Sequence, residues 1–172
     1  MKGAILYKTK YGSTKQYANW IAEATGLPIF NVSKDKINFS IYDFFVLGSP
    51  VIYYKLSIYD WVKDHFNKLE HKPVIFFSVS GAGAGDKLMG WLTDSFPQRF
   101  ISKMFHVALR GRQIPSELTF FDRMMLQISG HFNKDDGARQ EELHGFDYMD
   151  KNSIQPILAK IKELESTSID ML

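Results

Sequence analysis

Near the start of the chain, Thr9 to Thr14 (TKYGST) combine three aliphatic hydroxyl side chains with a glycine, a set suited to holding a phosphate. Thr9, Ser13 and Thr14 can each donate a hydrogen bond. Gly12 lets a ligand approach the backbone because it has no side chain in the way. Whether that chemistry is available depends on the flanks. Ala4 to Tyr7 is a short, nearly all-apolar run, long enough for a strand buried on both faces. Tyr17, Ile21 and Ala24 then recur at i, i+4 and i+7, a helical stripe that Gly26 and Pro28 end. Such a unit aims the free N–H groups of the first helical turn, at the positive end of the helix dipole, at one point beyond the strand. A dianionic terminal phosphate would be held there. The same residues also read as a tight strand-to-helix turn with Ser13 as N-cap, and the two readings are compatible.

Two later loops offer contacts of another kind. Ser49, Pro50, Val51, Ile52, Tyr53 and Tyr54 place two phenol rings beside smaller residues. A tyrosine over a planar heterocycle would bury a large face; alternatively one ring packs in the core and the other is merely exposed. Ser80, Gly81, Ala82, Gly83, Ala84 and Gly85 precede Asp86, which is placed to cap a helix from Lys87 to Phe96. The alternating glycines suggest a dinucleotide fingerprint, but Leu88 stands where its third Gly belongs. An ATP-type phosphate loop needs Gly-Lys-Ser/Thr, and here Lys87 lies between Asp86 and Leu88. What remains is a loop able to bring backbone groups against a flat ligand edge.

These loops need elements to position them. Leu27 to Val32, Phe44 to Gly48, Pro73 to Val79 and Phe105 to Leu109 read as further strands, with Ser49-Pro50 ending the second of these. Ser57 can cap a helix carrying Ile58, Trp61, Val62, Phe66 and Leu69 on one side, and Asn152 or Ser153 opens a last helix with Pro156 in its first turn. The terminal Ser166 to Leu172 is expected to fray. Strands alternating with amphipathic helices imply an α/β fold, a five-stranded parallel sheet in order 2-1-3-4-5 covered on both faces. Ligands of such sheets bind beyond the carboxyl ends of the strands at the switch point, where the three loops converge.

Composition limits the chemistry further. The chain has 172 residues, 45% hydrophobic and 23% charged, which suits one globular domain over 1–172. It holds no Cys, so disulfides, thiolate catalysis and thiolate metal sites are excluded. His65, His71, His106, His131 and His144 are scattered without metal-ligand spacing; His131 and His144 are candidate proton carriers. No metal and no nucleic acid are expected. No signal-peptide pattern and no run of roughly 20 apolar residues is seen, and a cytoplasmic location is expected. The net charge of +2 is unevenly placed: Arg99, Lys103, Arg110, Arg112 and Arg123 face only Glu117 and Asp122 between 99 and 123. That stretch could meet an anionic ligand or a membrane surface, or simply be solvated.

Together the three loops resemble those of flavodoxins, a resemblance that covers nearly the whole chain. TKYGST is similar to that family's Thr/Ser-x-Thr-Gly-x-Thr phosphate loop, with Tyr11 where Thr or Ser usually stands. The resemblance implies a flavodoxin-like three-layer sandwich that binds FMN. Its phosphate would lie at Thr9, Lys10, Tyr11, Gly12, Ser13 and Thr14, and its ring between the loops Ser49–Tyr54 and Ser80–Asp86. Flavodoxins that shuttle single electrons are usually strongly acidic, whereas this chain is weakly basic.

After the fifth strand comes an insertion, about 110–148, carrying Phe121-Asp122-Arg123-Met124-Met125-Leu126, Asp135-Asp136 to Glu142, and Phe146-Asp147-Tyr148. It resembles the corresponding segment of the menaquinone-dependent protoporphyrinogen IX dehydrogenases, flavodoxin-like FMN enzymes of haem synthesis. That resemblance implies an oxidoreductase passing electrons from a porphyrinogen-like substrate to a quinone. The alternatives are an electron-transfer flavodoxin that meets a redox protein, and a flavodoxin-shaped binding module without flavin. Glu117 to Phe132 is long enough for four turns, with Phe121, Met124, Met125, Ile128 and Phe132 along one side. This helix could cover a quinone or an anionic porphyrin, give a peripheral membrane contact through 99–132, or pack as a cap or dimer contact.

Overall fold

All five residues of strand β1 (Gly3–Tyr7) are buried, and their side chains alternate between two separate cores. Ala4 and Leu6 face one; Ile5 and Tyr7 face the other. The same alternation holds in β3 (Phe44–Ile52) and β5 (Val74–Ser80), where Phe45 and Phe76 point one way and Phe44 and Phe77 the other. A strand buried on both faces has no polar side, which is why these segments read as unbroken apolar runs. The computed structural model describes residues 1–132 and 136–167.

The main strands pair in parallel in the order β2-β1-β3-β5-β6, with β2 at Ile29–Asn31 and β6 at Phe105–Arg110. This is the expected 2-1-3-4-5 arrangement. Helix α1 (Ser13–Thr25) and the final helix, Gln155–Ser166, cover one face through Tyr17, Ile21, Ile157 and Ile161. Helices α2 (Tyr59–Asp64), α3 (Phe66–Leu69), α4 (Asp86–Ser95) and α5 (Gln98–Ile101) cover the other through Val62, Leu69, Leu92 and Phe100. The result is three layers.

Several boundaries differ from the sequence expectation. α1 starts at Ser13, and the N-cap position belongs to Gly12, whose φ of 90° suits glycine; Ser13 is not the cap. Gly85 likewise takes the N-cap position of α4, and Asp86 becomes its first residue, where a carboxylate still complements the dipole. The helix expected after Ser57 is interrupted at His65, so α2 and α3 are separate, and Ile58 rather than Ser57 precedes α2. A short 3-10 turn, Lys151–Ile154, capped by Asp150, stands where the last helix was expected to open. Of the expected frayed terminus, 168–172 lies outside the described residues.

β3 does not stop at Ser49-Pro50. It runs on to Ile52 and folds back through Tyr53-Tyr54 into β4 (Lys55–Leu56). Both turn residues have positive φ, 50° and 64°, as a two-residue hairpin of this kind requires, although tyrosine adopts that region at a cost. The insertion after β6 is also built on a hairpin. β7 (Arg112–Gln113) pairs antiparallel with β8 (Phe146–Asp147), and between them stand α6 (Phe120–Phe132) and α7 (Asp136–His144).

Tyr17 ties the stem of this insertion to the main fold: its hydroxyl donates to the Arg110 carbonyl at 2.7 Å and accepts from the Asp150 N–H at 3.2 Å. Tyr17→Phe should leave both backbone groups without that partner and lower stability by about 1–3 kcal/mol. Denaturant unfolding is expected to show a lower midpoint with an unchanged slope.

Candidate functional site

The N-terminus of α1, the end of β3, the end of β5 and the insertion enclose a cavity of about 220 Å³. Thr9, Lys10, Tyr11, Ser13 and Thr14 line it from the first loop, Pro50, Val51, Ile52 and Tyr53 from the hairpin, and Ser80 and Gly81 from the third loop. Thus the sequence-derived loops do converge. Gly12 shapes the turn without lining the cavity, while Tyr54, Ala82, Gly83, Gly85 and Asp86 lie outside its lining.

The hydroxyls of the first loop are unequally free. Thr9 Oγ1 accepts from the Gly12 N–H at 3.1 Å and keeps its own proton for another acceptor. Ser13 Oγ donates to the Arg112 carbonyl at 3.4 Å and accepts the Arg112 N–H at 3.3 Å, so it joins α1 to β7. Thr14 Oγ1 is buried with no hydrogen-bond partner among the described residues, and so is Ser80 Oγ on the facing loop. An orphaned buried hydroxyl costs about 1–3 kcal/mol unless something satisfies it. No side chain caps α1, and its first turn holds no acidic residue, so the dipole and free N–H groups face the cavity unneutralised.

The other walls are fixed by hydrogen bonds. Ser49 is fully buried and accepts the Ile58 N–H at 3.1 Å, so it anchors the hairpin base and does not line the cavity. Tyr54 turns outward and packs near Trp91, ring centroids 5.6 Å apart; of the two tyrosines only Tyr53 faces the cavity. The Gly81 carbonyl accepts from Arg110 Nε at 3.0 Å and Nη2 at 2.8 Å, and the same guanidinium lies 3.5 Å from the Tyr148 ring centroid. A Cβ on Gly81 would fall 2.6 Å from the Phe146 ring, so a larger residue there would have to displace that ring.

The insertion supplies the wall the sequence reading did not assign. Leu118, Asp122 and Leu126, at i, i+4 and i+8, face inward, while Phe121, Met124, Met125 and Ile128 are exposed together with Phe120. The expected apolar side of this helix is therefore its outer side, and the Phe132 side chain lies outside the described residues. The signal for the true inner row was a lone carboxylate between two leucines at helical spacing. Asp122 is 5% exposed. Lys10 Nζ lies 2.5 Å from its carboxylate, and the hydroxyls of Tyr11 and Tyr53 donate to it. Burial alone would raise its pKa, but those donors outweigh it and hold Asp122 well below the ordinary carboxylate range. The Tyr53 hydroxyl is pushed up to about 12 by burial and by its bond to the carboxylate.

A second groove, about 360 Å³, lies on the other side of the hairpin and shares Thr9, Lys10, Ile52 and Tyr53 with the first. Lys8, Lys55 and Ser57 complete its lining. His131 and His144 are exposed, and none of the five histidines lines either space. No helix among the described residues is long and apolar enough to cross a membrane.

A doubly wound parallel sheet with an anion-ready helix start at its switch point defines a nucleotide-binding α/β protein of the flavodoxin kind. The chain belongs to the flavodoxin domain family, whose match extends over residues 4–140. No curated protein matches it. Similar solved structures include a flavoprotein from Lactobacillus acidophilus in complex with FMN, at 19% identity over 63% of this chain and 91% of that one, TM-score 0.46. A flavodoxin from the domain Archaea shares 15% identity over 94% and 99%, TM-score 0.47. A WrbA-like protein from Agrobacterium tumefaciens shares 13% over 83% and 92%, TM-score 0.47. The residues present fit an FMN: the α1 start with Thr14 suits its phosphate, and the space between Tyr53 and Ser80-Gly81 suits a flat ring edge.

Because its folded pKa is depressed, Asp122 contributes stability that is complete above the ordinary carboxylate value of 3.8 and is lost as pH falls through the lower folded value. The stability difference between wild type and Asp122→Asn should be full at pH 7 and close progressively below about pH 4. Paired unfolding curves across that range check this.

Proposed function

We propose that this protein is an FMN-dependent oxidoreductase that draws electrons from an anionic, porphyrinogen-like substrate and delivers them to a quinone. The observation that carries the cofactor part is the pair of partnerless buried hydroxyls, Thr14 Oγ1 and Ser80 Oγ, on facing walls of one cavity at a helix N-terminus. Bound FMN would supply the redox chemistry. The chain's part is to hold and shield it. Thr14 and the α1 amides take the phosphate charge, Tyr53 and Ile52 wall one face of the ring space, and Ser80 and Gly81 set backbone and hydroxyl donors at its edge. Leu118 and Leu126 exclude water from the far side.

An anionic substrate is supported by the groove behind the hairpin. Lys8 and Lys55 line it without an ion pair among the described residues, beside the apolar Ile52 and the ring of Tyr53. A lipid-soluble quinone is supported by the outer face of α6. Phe120, Phe121 and Ile128 are 83%, 57% and 48% exposed, with Arg123 beside them, a pattern suited to resting on an anionic membrane surface. A second reading, a carrier that docks on an acidic redox protein, is favoured by the exposed hairpin tip, where Tyr54 and Lys55 stand beside the ring space. An anaerobic assay separates the two. Oxidation of protoporphyrinogen with menaquinone as acceptor supports the enzyme; exchange with a redox protein and no quinone turnover supports the carrier.

Two outcomes are expected. Thr14→Ala should weaken FMN about tenfold or more while changing riboflavin little, as titration of flavin fluorescence will read; equal losses would remove the phosphate assignment. Phe120→Asp with Phe121→Asp should leave FMN binding intact, reduce sedimentation with phosphatidylglycerol vesicles, and slow reduction of membrane-held quinone more than of a water-soluble one.

A further inference from the structure

We propose that α6 is a cover over the cofactor cavity latched by the Asp122 carboxylate, and that Asp122 is a positioning residue which, through Lys10, Tyr11 and Tyr53, governs how fast FMN enters and leaves. The proposal rests on the FMN reading above.

Four observations carry it. First, a single buried carboxylate on the insertion binds Lys10 and Tyr11 of the phosphate loop and Tyr53 of the hairpin, so it joins three walls of the cavity at one point. Second, the described apolar groups of α6 that meet the cavity are few: Leu126, with Leu118 just before the helix, lines it, while Phe120, Phe121, Met124, Met125 and Ile128 face out. Third, Asp122 and Leu126 of α6 form one wall of the cavity, which is about 220 Å³ with α6 docked, so displacing α6 opens it further. Fourth, the hairpin is strained at Tyr53, whose φ is 50°, and its hydroxyl bond to Asp122 helps keep that conformation. Releasing one carboxylate therefore removes a tie that α6 and the hairpin share.

The stem need not move. The β7–β8 pairing, the Tyr148 N–H to Gly111 carbonyl bond at 3.1 Å, and the Arg110 clamp on Gly81 and Tyr148 hold the base of the insertion independently of Asp122. α6 can thus swing on a fixed root. The latch is also polar, so it opens to water at less cost than an apolar seam of equal extent, since the freed carboxylate, ammonium and hydroxyls are solvated at once.

The test is stopped-flow release of FMN, read as recovery of flavin fluorescence, for wild type, Asp122→Asn, Lys10→Met and Tyr53→Phe, together with hydrogen exchange of the amides of 120–128 in flavin-free protein. Asp122→Asn should raise the release rate about tenfold or more, the loss of one charge-assisted hydrogen bond, and speed exchange of α6. Lys10→Met should act in the same direction, and the Asp122→Asn, Lys10→Met pair should add little beyond the first change. Unchanged release and exchange in a folded Asp122→Asn protein, or fully additive effects, would overturn the latch. Should Asp122→Asn fail to fold, Tyr53→Phe decides on the same two readouts. Should wild type take up no FMN, the cofactor reading fails, and α6 exchange alone still settles the latch.

Discussion

A parallel sheet cannot leave either face in water, because its connections return across those faces and need apolar strands beneath them. That constraint organises this molecule. Ile5, Phe44 and Phe77 fill one core while Leu6, Phe45 and Phe76 fill the other, so the central strands β1, β3 and β5 are covered on both faces. Each connection must then climb back across a face, mostly as a helix, and the strand-to-helix loops gather on one edge. The chemistry follows from the packing: hydroxyls, glycines and a helix N-terminus meet there because covered parallel strands end there.

The loops gathered on that edge are not held alike. The first is tied to the insertion through Ser13 and Arg112, the third through Gly81 and Arg110, and the second through Tyr53 and Asp122. The first and third ties use backbone carbonyls close to the sheet. The second depends on a side chain in the first turn of a helix otherwise exposed on its apolar side. A charge so buried is tolerated only because several donors converge on it, and those donors belong to the loops that would hold a cofactor. Cofactor and insertion are therefore coupled by geometry, whatever the electron donor is.

The weakly basic surface has a matching distribution. Lys8 and Lys55 line the groove behind the hairpin, and Arg123 stands beside the outer face of α6, while Asp122 is turned inward and paired with Lys10.

The sequence determined the sheet and its order, since unbroken apolar runs such as FFVLG and PVIFFSV alternating with helical stripes leave few other arrangements. It also marked TKYGST, between a buried strand and a helix, as a helix start suited to an anion, because that is a local property. Only the tertiary structure decided which hydroxyls stay free. Ser13 is spent on Arg112 and Thr14 is not, a difference set by a strand about a hundred residues away. It alone decided that β3 outruns Ser49-Pro50, because β4 supplies partners for the extra residues. The orientation of α6 was decided there too. A helix with apolar residues on both sides can turn either way, and the choice fell to the side bearing Asp122 because Lys10, Tyr11 and Tyr53, distant in sequence, were already waiting for a carboxylate.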